Sequence, residues 1–473
     1  MNQRDFVIVG AGPAGLSAAH ELSKRGHDCL VLEQDGQVGG LSKTVNHRGY
    51  RCDIGGHRFF TKAKEVQQLW QEVLPEDFLT RPRLSRIYYR GRFFDYPLRP
   101  FSALAGLGPI TGARIMGSFA YRHLFPRRPE DNFETWVSNR FGEVLYSIFF
   151  KTYTEKVWGI PGSQISADWA AQRIRNLSLG RAVLNALGIG GGGKVASLIE
   201  EFQYPRHGPG QMYEAMADQA QRRGASIQLH HEVTRVNHSA GKVVSVVAGS
   251  AGGEVEYPVG NLISSMPLTD LVFRLSPQAP SEVVAAARSL RYRSILTVNL
   301  VLRQEHVVPD TWVYLHAPEV QAGRIQLYKN WSPEMVPDAA MNTVGFEYFV
   351  WEGDSMWNRP DDQLREMAMA DLRSLGLGDP AVVEDCFVVR YAKAYPVYDL
   401  TYQGPLKAIR DYLGRFSNVV CVGRYGQFRY NNMDHSIMTA LLGVRRLLGE
   451  SVDPWAVNAD AEYLEEKSSN TGS

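Results

Sequence analysis

The stretch that decides the fold is DFVIVGAGPAGLSAAHELSKRGHDCLVLEQ, residues 5–34. An apolar run, a glycine turn, an amphipathic segment and a second apolar run predict a strand, a helix and a second strand. Gly10 allows the tight turn, Gly12 leaves space for a pyrophosphate beside the backbone, and Gly15 lets the helix pack closely on the strand. Glu33 ends the second strand, where its carboxylate can accept hydrogen bonds from a ribose. The stretch therefore predicts a dinucleotide-binding unit.

The predicted helix begins at Pro13 and Ala14. A helix N-terminus carries unpaired N–H groups and the positive end of the helix dipole, so this end is expected to face the phosphates of the dinucleotide. The unit places the chain in the α/β class, with a Rossmann-like domain at its N-terminus.

Composition limits the function classes. The chain has 473 residues, and 51 Lys and Arg against 50 Asp and Glu leave no bulk charge to attract nucleic acid. Four scattered cysteines lack the spacing of metal ligands, which favours a reduced, cytoplasmic protein without a metal site. We expect no signal peptide, because MNQRD leads directly into a strand without a basic and apolar leader. We expect no integral membrane segment, because the apolar stretch at 101–125 is interrupted by Arg114 and several glycines. Attachment to a membrane surface through that stretch stays open.

A second glycine-rich segment follows the first unit. GQVGGLSKTVNHRGYRCDIGGHRFF, residues 36–60, resembles the second cofactor motif of the superfamily of FAD-containing amine oxidases and mutases. The resemblance implies FAD as the cofactor, with Gly40 and Leu41 beside the pyrophosphate and with Gly56 and His57 near the flavin ring.

The rest of the chain divides by pattern into further parts. We predict a discontinuous FAD-binding domain (1–65, 205–275 and 415–450), a mainly helical substrate or lid domain (66–204) and an antiparallel-sheet substrate domain (276–414). Four consecutive glycines, Gly190 to Gly193, predict a mobile loop, and the polar residues 463–473 predict a disordered tail.

The segment GRYGQFRYNNMDHS, residues 423–436, predicts a strand end, a loop and a helix that begins near Asp434. Gly423 and Arg424 end the strand, and the Arg424 side chain can reach a phosphate or the flavin edge. The helix N-terminus near Asp434 would stabilise negative charge on the flavin and so favour its reduced, anionic form, and Met433 is expected beside the cofactor.

Four segments together resemble the flavoenzyme family of UDP-galactopyranose mutases. They are NFETWVSNRFGEVLYSIFFKTYTEKVWG (132–159), LRYRSILTVNLVL (290–302), YAKAYPVYD (391–399) and the 423–436 segment. The resemblance implies roles for particular residues. The substrate diphosphate would be bound by Arg173, Tyr292 and Tyr395, and Trp158 would form a wall of the substrate site. Arg424 and Tyr430 would lie between the diphosphate and the flavin, His57 next to flavin N5, and Val233 against the adenine. Arg303 matches a further arginine of the family only approximately.

The resemblance also implies an activity. Reduced FAD would attack the anomeric carbon of a nucleotide sugar through N5 and expel the nucleoside diphosphate. The resulting flavin-sugar iminium would let the opened sugar close to the other ring size, pyranose or furanose, without net redox. The alternative is an FAD-dependent oxidase, dehydrogenase or desaturase of the amine oxidase superfamily, which shares the N-terminal motifs. Residues 328–338 and 347–357 have no counterpart in the galactose enzymes, so the nucleotide and the sugar stay open, as does the oligomeric state.

Overall fold

The structure is a computed structural model that describes residues 3–96, 106–169 and 200–458. The sequence predictions for Arg173, for the glycines 190–193 and for the tail at 463–473 lie outside these residues. Within the described ranges, no helix combines the length and the apolar composition that crossing a membrane requires.

Short strands and helices alternate along the described part of the chain. The strands are β1 Arg4–Val9, β2 Cys29–Leu32, β3 Thr44–His47, β4 Tyr50–Asp53, β5 Phe78–Pro82, β6 Ser85–Tyr89, β7 Arg92–Asp95, β8 Glu201–Pro205, β9 Ser226–Gln228, β10 Glu232–Ser239, β11 Lys242–Ser250, β12 Gly253–Ser264, β13 Leu275–Ser276, β14 Tyr292–Leu302, β15 Trp312–Leu315, β16 Arg324–Leu327, β17 Asn342–Val350, β18 Val383–Pro396 and β19 Val419–Cys421. The α-helices are α1 Pro13–Lys24, α2 Lys64–Val73, α3 Pro109–Leu124, α4 Phe133–Phe141, α5 Glu143–Tyr146, α6 Thr152–Trp158, α7 Gly210–Arg222, α8 Leu268–Phe273, α9 Ser281–Ser289, α10 Tyr328–Trp331, α11 Asp361–Ser374, α12 Gln403–Leu413, α13 Gly423–Gly426 and α14 Met433–Leu447.

The first large sheet is built around β1. Strands β9, β2, β1, β12 and β19 run parallel in this order, and β11, β10 and β13 extend the sheet beyond β12. Residues 6–9 of β1 are buried, as expected for a strand covered on both faces. Helices α1, α7 and α14 pack on one face. The carboxyl ends of the parallel strands meet at one edge, which is where α/β sheets bind their ligands.

The second large sheet has the order β18-β14-β17-β16-β15-β6-β7. The predicted strands in 276–414 do pair antiparallel, with β14 between β17 and β18. All eleven residues of β14 are buried, because α11 covers one face of the sheet and the helices α4 and α6 lie against the other.

Within 66–204, which the sequence predicts as mainly helical, the structure also has strands, at 78–95 and from 201 onward. Strands β6 and β7 form a hairpin on the edge of the second sheet, and β5 pairs with β8. The hairpin turn has positive φ at Arg90 (49°) and at Gly91 (74°), which is the backbone of a two-residue type I′ turn. The Arg-Gly pair between two aromatic runs is therefore the signal that the helical interpretation overlooked.

Candidate functional site

Two glycine turns face each other at the carboxyl edge of the first sheet. Gly10 has φ +96°, and a Cβ there would collide with Ser265. Gly40 has φ +55°, and a Cβ there would lie 3.1 Å from the Cα of Gly12. Because neither Gly12 nor Gly40 carries a side chain, the two backbones leave a bare cradle that fits a pyrophosphate.

The N-terminus of α1 opens into this cradle. Gly12 is the N-cap and provides no side-chain hydrogen bond, and Pro13 occupies the first turn. The first N–H groups of the helix are thus available to an anion. A Cβ on Gly15 would overlap the carbonyl oxygen of Gly10, so Gly15 sets the close packing of helix on strand that the sequence predicted.

Glu33 lies at the end of β2 and is buried. Its Oε2 accepts a hydrogen bond from the N–H of Ala11 at 2.6 Å, and its Oε1 accepts one from the N–H of Asp35 at 2.8 Å. Burial raises the pKa of Glu33, and the two backbone donors act in the opposite direction. A carboxylate has about four lone-pair positions, so both oxygens can still accept hydrogen bonds from ribose hydroxyls.

A cavity of about 570 Å³ runs from the glycine turns to the second sheet. Its size is that of a typical cofactor or substrate site. The sequence-predicted residues that line it are Gly10, Gly12, Pro13, Ala14, Glu33, Gly40, Leu41, Gly56, His57, Val233, Tyr395, Gly423, Arg424, Tyr430 and Met433. The structure therefore brings together residues from both ends of the chain.

His57 lies in the wall of this cavity. Its Nδ1 is 3.1 Å from the carbonyl oxygen of Gly55, so Nδ1 carries the proton and donates it, and Nε2 is left as an acceptor. Burial, assisted by the positive charge of Arg424, lowers the pKa of His57 to about 3. The imidazole is neutral at physiological pH.

Arg424 lies beside two stacked tyrosine rings. Its guanidinium carbon lies 4.5 Å from the ring centre of Tyr430 and 5.4 Å from that of Tyr395. Its Nε donates to the carbonyl oxygen of Asn431 at 2.8 Å and its Nη1 to that of Ala394 at 3.2 Å. No carboxylate among the described residues pairs with Arg424, so its positive charge is not neutralised by the protein there.

The two tyrosines belong to an aromatic wall. The rings of Tyr395 and Tyr430 stack with centroids 5.7 Å apart, and Trp158 meets both edge-on. Trp158 is itself buried and does not line the cavity. Its edge-on contacts therefore support the two tyrosine rings from outside the cavity.

Arg324 is a cavity residue that sequence reasoning missed. It lies on β16, lines the cavity, and pairs with the buried Glu347 of β17. Gln326 also donates to Glu347, at 2.8 Å, which holds the carboxylate in place. Nothing in the local sequence RIQL distinguishes this arginine from an ordinary strand residue; its position becomes evident only once the strands are paired.

Helix α14 points its N-terminus at the cavity. It begins at Met433 and is capped by Asn432, while the His435 ring accepts a hydrogen bond from the N–H of Asn432 at 3.2 Å. Met433 and Asp434 line the cavity. The predicted helix start near Asp434 is thus confirmed to within one residue, and a capping box stabilises this N-terminus.

Two predicted substrate contacts are not brought to the cavity. Tyr292 is buried in the core behind it, with its ring edge-on to Phe428 at 4.9 Å, so this arrangement does not support its expected role as a diphosphate ligand. Successive residues of a strand face opposite sides, and Tyr292 faces the first sheet. Arg303 is 70% exposed and pairs with Glu384 at 2.9 Å. Arg173 lies outside the described residues.

Known proteins share both the sequence pattern and the fold of this chain. The sequence profile of the family described as flavin containing amine oxidoreductase matches residues 13–448. The chain is 29% identical over 266 residues to AofH of Mycobacterium tuberculosis, whose assigned name is that of a flavin-containing monoamine oxidase; the match covers 52% of this chain and 54% of AofH. It is 23% identical over 333 residues to phytoene desaturase of Fusarium fujikuroi, covering 65% of this chain and 56% of the desaturase. The chain thus spans about half the length of the curated relatives it matches.

A structural match covers nearly the whole chain. The crystal structure of reduced UDP-galactopyranose mutase aligns with a TM-score of 0.83 and 22% identity, over 97% of this chain and 98% of that one. At this identity the likeness shows the fold. It confirms the α/β class and the arrangement of helices and sheets predicted for the superfamily.

Proposed function

The chain belongs to the family of flavin-containing amine oxidoreductases, and from this premise we propose that it is an FAD-dependent sugar-nucleotide mutase. It would interconvert the pyranose and furanose forms of a sugar nucleotide. Membership of the family implies a flavin, and FAD fits the bare glycine cradle, the uncapped N-terminus of α1 and the Glu33 carboxylate. When bound, FAD in its reduced form would supply an electron pair for the anomeric carbon of the substrate.

The observation that carries the proposal is the charge of Arg424. A partly buried guanidinium without a carboxylate partner among the described residues favours an anionic ligand, because an uncompensated charge in a low-dielectric site is costly. A diphosphate offers the oxygens that a guanidinium binds in forked geometry. An amine or a polyene offers none.

Neighbouring residues would complete the diphosphate site. Tyr395 and Tyr430 stack beside Arg424 and could donate their hydroxyls to phosphate oxygens. Arg324 uses Nε and Nη2 on Glu347 and keeps the Nη1 end for a ligand. The contribution of Arg173 to the same site stays a prediction from the family resemblance.

His57 would act as a neutral hydrogen-bonding group beside the flavin. Its lowered pKa excludes the imidazolium form at neutral pH. The Nε2 lone pair could therefore accept a proton in a hydrogen bond but could not act as a general acid there.

The alternative function is an FAD-dependent oxidoreductase of the same family. Three observations favour it. The sequence relatives carry the names of an oxidase and a desaturase, and the stacked rings of Tyr395 and Tyr430 in the cavity wall would suit a flat or cationic substrate. The positive charge of Arg324 is also balanced by Glu347, which leaves less net charge for a diphosphate.

Ligand binding separates the two functions. We expect UDP, GDP or dTDP to raise the melting temperature of the reduced protein, since a ligand that binds only the folded state stabilises it by mass action. Arg424→Ala should weaken that affinity by about ten- to a hundredfold, the value of a charge-assisted contact. Arg303→Ala removes an exposed arginine and is the matched control. Flavin content, read from the visible spectrum, must be equal in the three proteins. No shift with any nucleoside diphosphate at millimolar concentration would count against the mutase.

A further inference from the structure

Helix α3 carries an exposed apolar surface that is separate from the lining of the first cavity. Of the eight large apolar residues that are exposed among the described residues, four belong to α3 and the residue after it. They are Ile110 (79% exposed), Tyr121 (56%), Leu124 (70%) and Phe125 (61%). We call these residues, together with Arg114, the α3 face.

The apolar residues share one side of the helix. Positions 110, 117, 121 and 124 recur at the spacing of 3.6 residues per turn, and the small residue Gly117 continues the stripe between Ile110 and Tyr121. On the opposite side Ile115 is fully buried. The N–H of Val144 donates to Ser118 at 3.3 Å, so α3 is held against α5 with its apolar side outward.

The segment that contains α3 carries basic but no acidic side chains of its own. Residues 106–129 contain no Asp or Glu but contain four arginines and a histidine. Arg122 and Arg127 both pair with Glu143, which comes from the neighbouring helix. Arg114 and Arg128 have no carboxylate partner within the described part of the chain.

A second cavity, of about 610 Å³, adjoins the same helix. Arg90, Arg92 and Arg114 line it together with apolar residues that include Leu107 and Ile148, and its described lining includes no acidic residue. Its lining is a mixture of basic, hydroxyl and apolar side chains, and the arginines could bind the phosphate of a lipid headgroup.

We propose that the α3 face docks on a membrane surface that carries anionic lipids. The 16-residue helix, about 24 Å long, would lie flat in the interface with its apolar side among the acyl chains and its arginines at the headgroup phosphates. A symmetric contact between two copies fits less well, because Arg114 and Arg128 have no carboxylate partner among the described residues of their own copy and would add to the positive charge that faces the same arginines of the other copy. The proposal is independent of the reaction in the first cavity.

Vesicle sedimentation of the full-length holoprotein tests it. We expect binding to phosphatidylcholine vesicles that contain about one-third phosphatidylglycerol, weaker binding to phosphatidylcholine alone, and weakening by salt. Leu124→Glu should lower the partition coefficient by at least about tenfold, since it puts a charge where the membrane would bury a leucine. Arg114→Ala should lower it about fivefold. Leu400→Glu, which changes a leucine that is 49% exposed elsewhere, is the matched control and should bind as the wild type does.

A local probe shows which surface touches the lipid. An environment-sensitive fluorophore on Leu124→Cys should shift to the blue when anionic vesicles are added, and the same fluorophore on Leu400→Cys should not. Unchanged emission at both positions, or equal sedimentation of wild type and Leu124→Glu, would overturn the proposal. So would a dimer that Leu124→Glu converts to a monomer in the absence of vesicle binding, because the α3 face would then be an interface between copies.

Discussion

Arg324 and Glu347 form an ion pair in the wall of the first cavity, with Nη2 of the arginine 2.5 Å from Oε2 of the glutamate. The two residues lie directly opposite each other on the paired strands β16 and β17. The Glu347 side chain is fully buried and that of Arg324 is 14% exposed. A cross-strand register thus fixes the direction in which a cavity arginine points.

Glu347→Gln should destabilise the protein. Removing one partner of a buried pair leaves an uncompensated charge, at a cost of about 3–5 kcal/mol in the free energy of unfolding. Denaturant titration of the holoprotein measures it. Glu384→Gln breaks the exposed pair with Arg303 and should cost at most about 1 kcal/mol. Equal losses in the two variants would show that burial of the Arg324 pair has no energetic consequence.

The positions of two tyrosines predict different effects on ligand affinity. Tyr395→Phe removes a hydroxyl from the cavity wall and should weaken nucleoside diphosphate binding about two- to tenfold, the value of one neutral hydrogen bond. Tyr292→Phe changes a core residue and should leave the affinity unchanged. Calorimetric titration of the reduced protein measures both. If Tyr292→Phe alone lost affinity, the result would support the expectation from the sequence that Tyr292 contacts the diphosphate.

The glycine cradle can be tested through flavin content. Gly12→Val places a branched side chain where the backbones of Gly12 and Gly40 face each other, so we expect folded but colourless protein. Gly404→Ala is the control, because nothing lies within 4 Å of a Cβ added at that position. The absorbance of the flavin relative to that of the protein, with circular dichroism as the check on folding, gives the result. Full flavin content in Gly12→Val would contradict the cradle.

His316 predicts a dependence of stability on pH. It is buried and stacks on Tyr153 with ring centroids 4.9 Å apart, and burial lowers its pKa from 6.5 to about 3. Between these two values the unfolded chain binds a proton that the native state does not, so this residue's contribution to stability falls as pH falls from 6.5 towards 3. His316→Phe keeps a ring against Tyr153 and should flatten the decline by up to about 1.4 kcal/mol per pH unit.

Unfolding curves at several pH values measure this slope. His306→Phe replaces a histidine that is 87% exposed and gives the control. The same slope in wild type and His316→Phe would show that the buried imidazole is protonated in the native state.

The local parts of the site could be predicted from the sequence. Glycine turns and helix starts are set by residues close in the chain, so the segments themselves predicted Gly10, Gly12 and a helix start within one residue of Met433, and all three residues line the cavity. Arg424 was identified because its segment resembles a known family.

The parts that depend on strand pairing could not be predicted. Arg324 lies in the cavity wall because its strand pairs in register with Glu347. Tyr292 lies outside the cavity because it faces the other side of β14. The place of the β6–β7 hairpin on the second sheet depends on β15, which sets Ser85 beside the distant Trp312. The pattern of one strand does not identify which distant strand pairs with it.

Turnover in the two redox states distinguishes a mutase from an oxidoreductase. The protein is reduced with dithionite under anaerobic conditions and given a panel of UDP-, GDP- and dTDP-sugars, and the products are separated by chromatography. The mutase account predicts many turnovers between ring forms by reduced protein, no proportional consumption of reductant, and no activity in the oxidised protein. Oxidised protein that turns over a substrate and releases hydrogen peroxide one-for-one with product would contradict it.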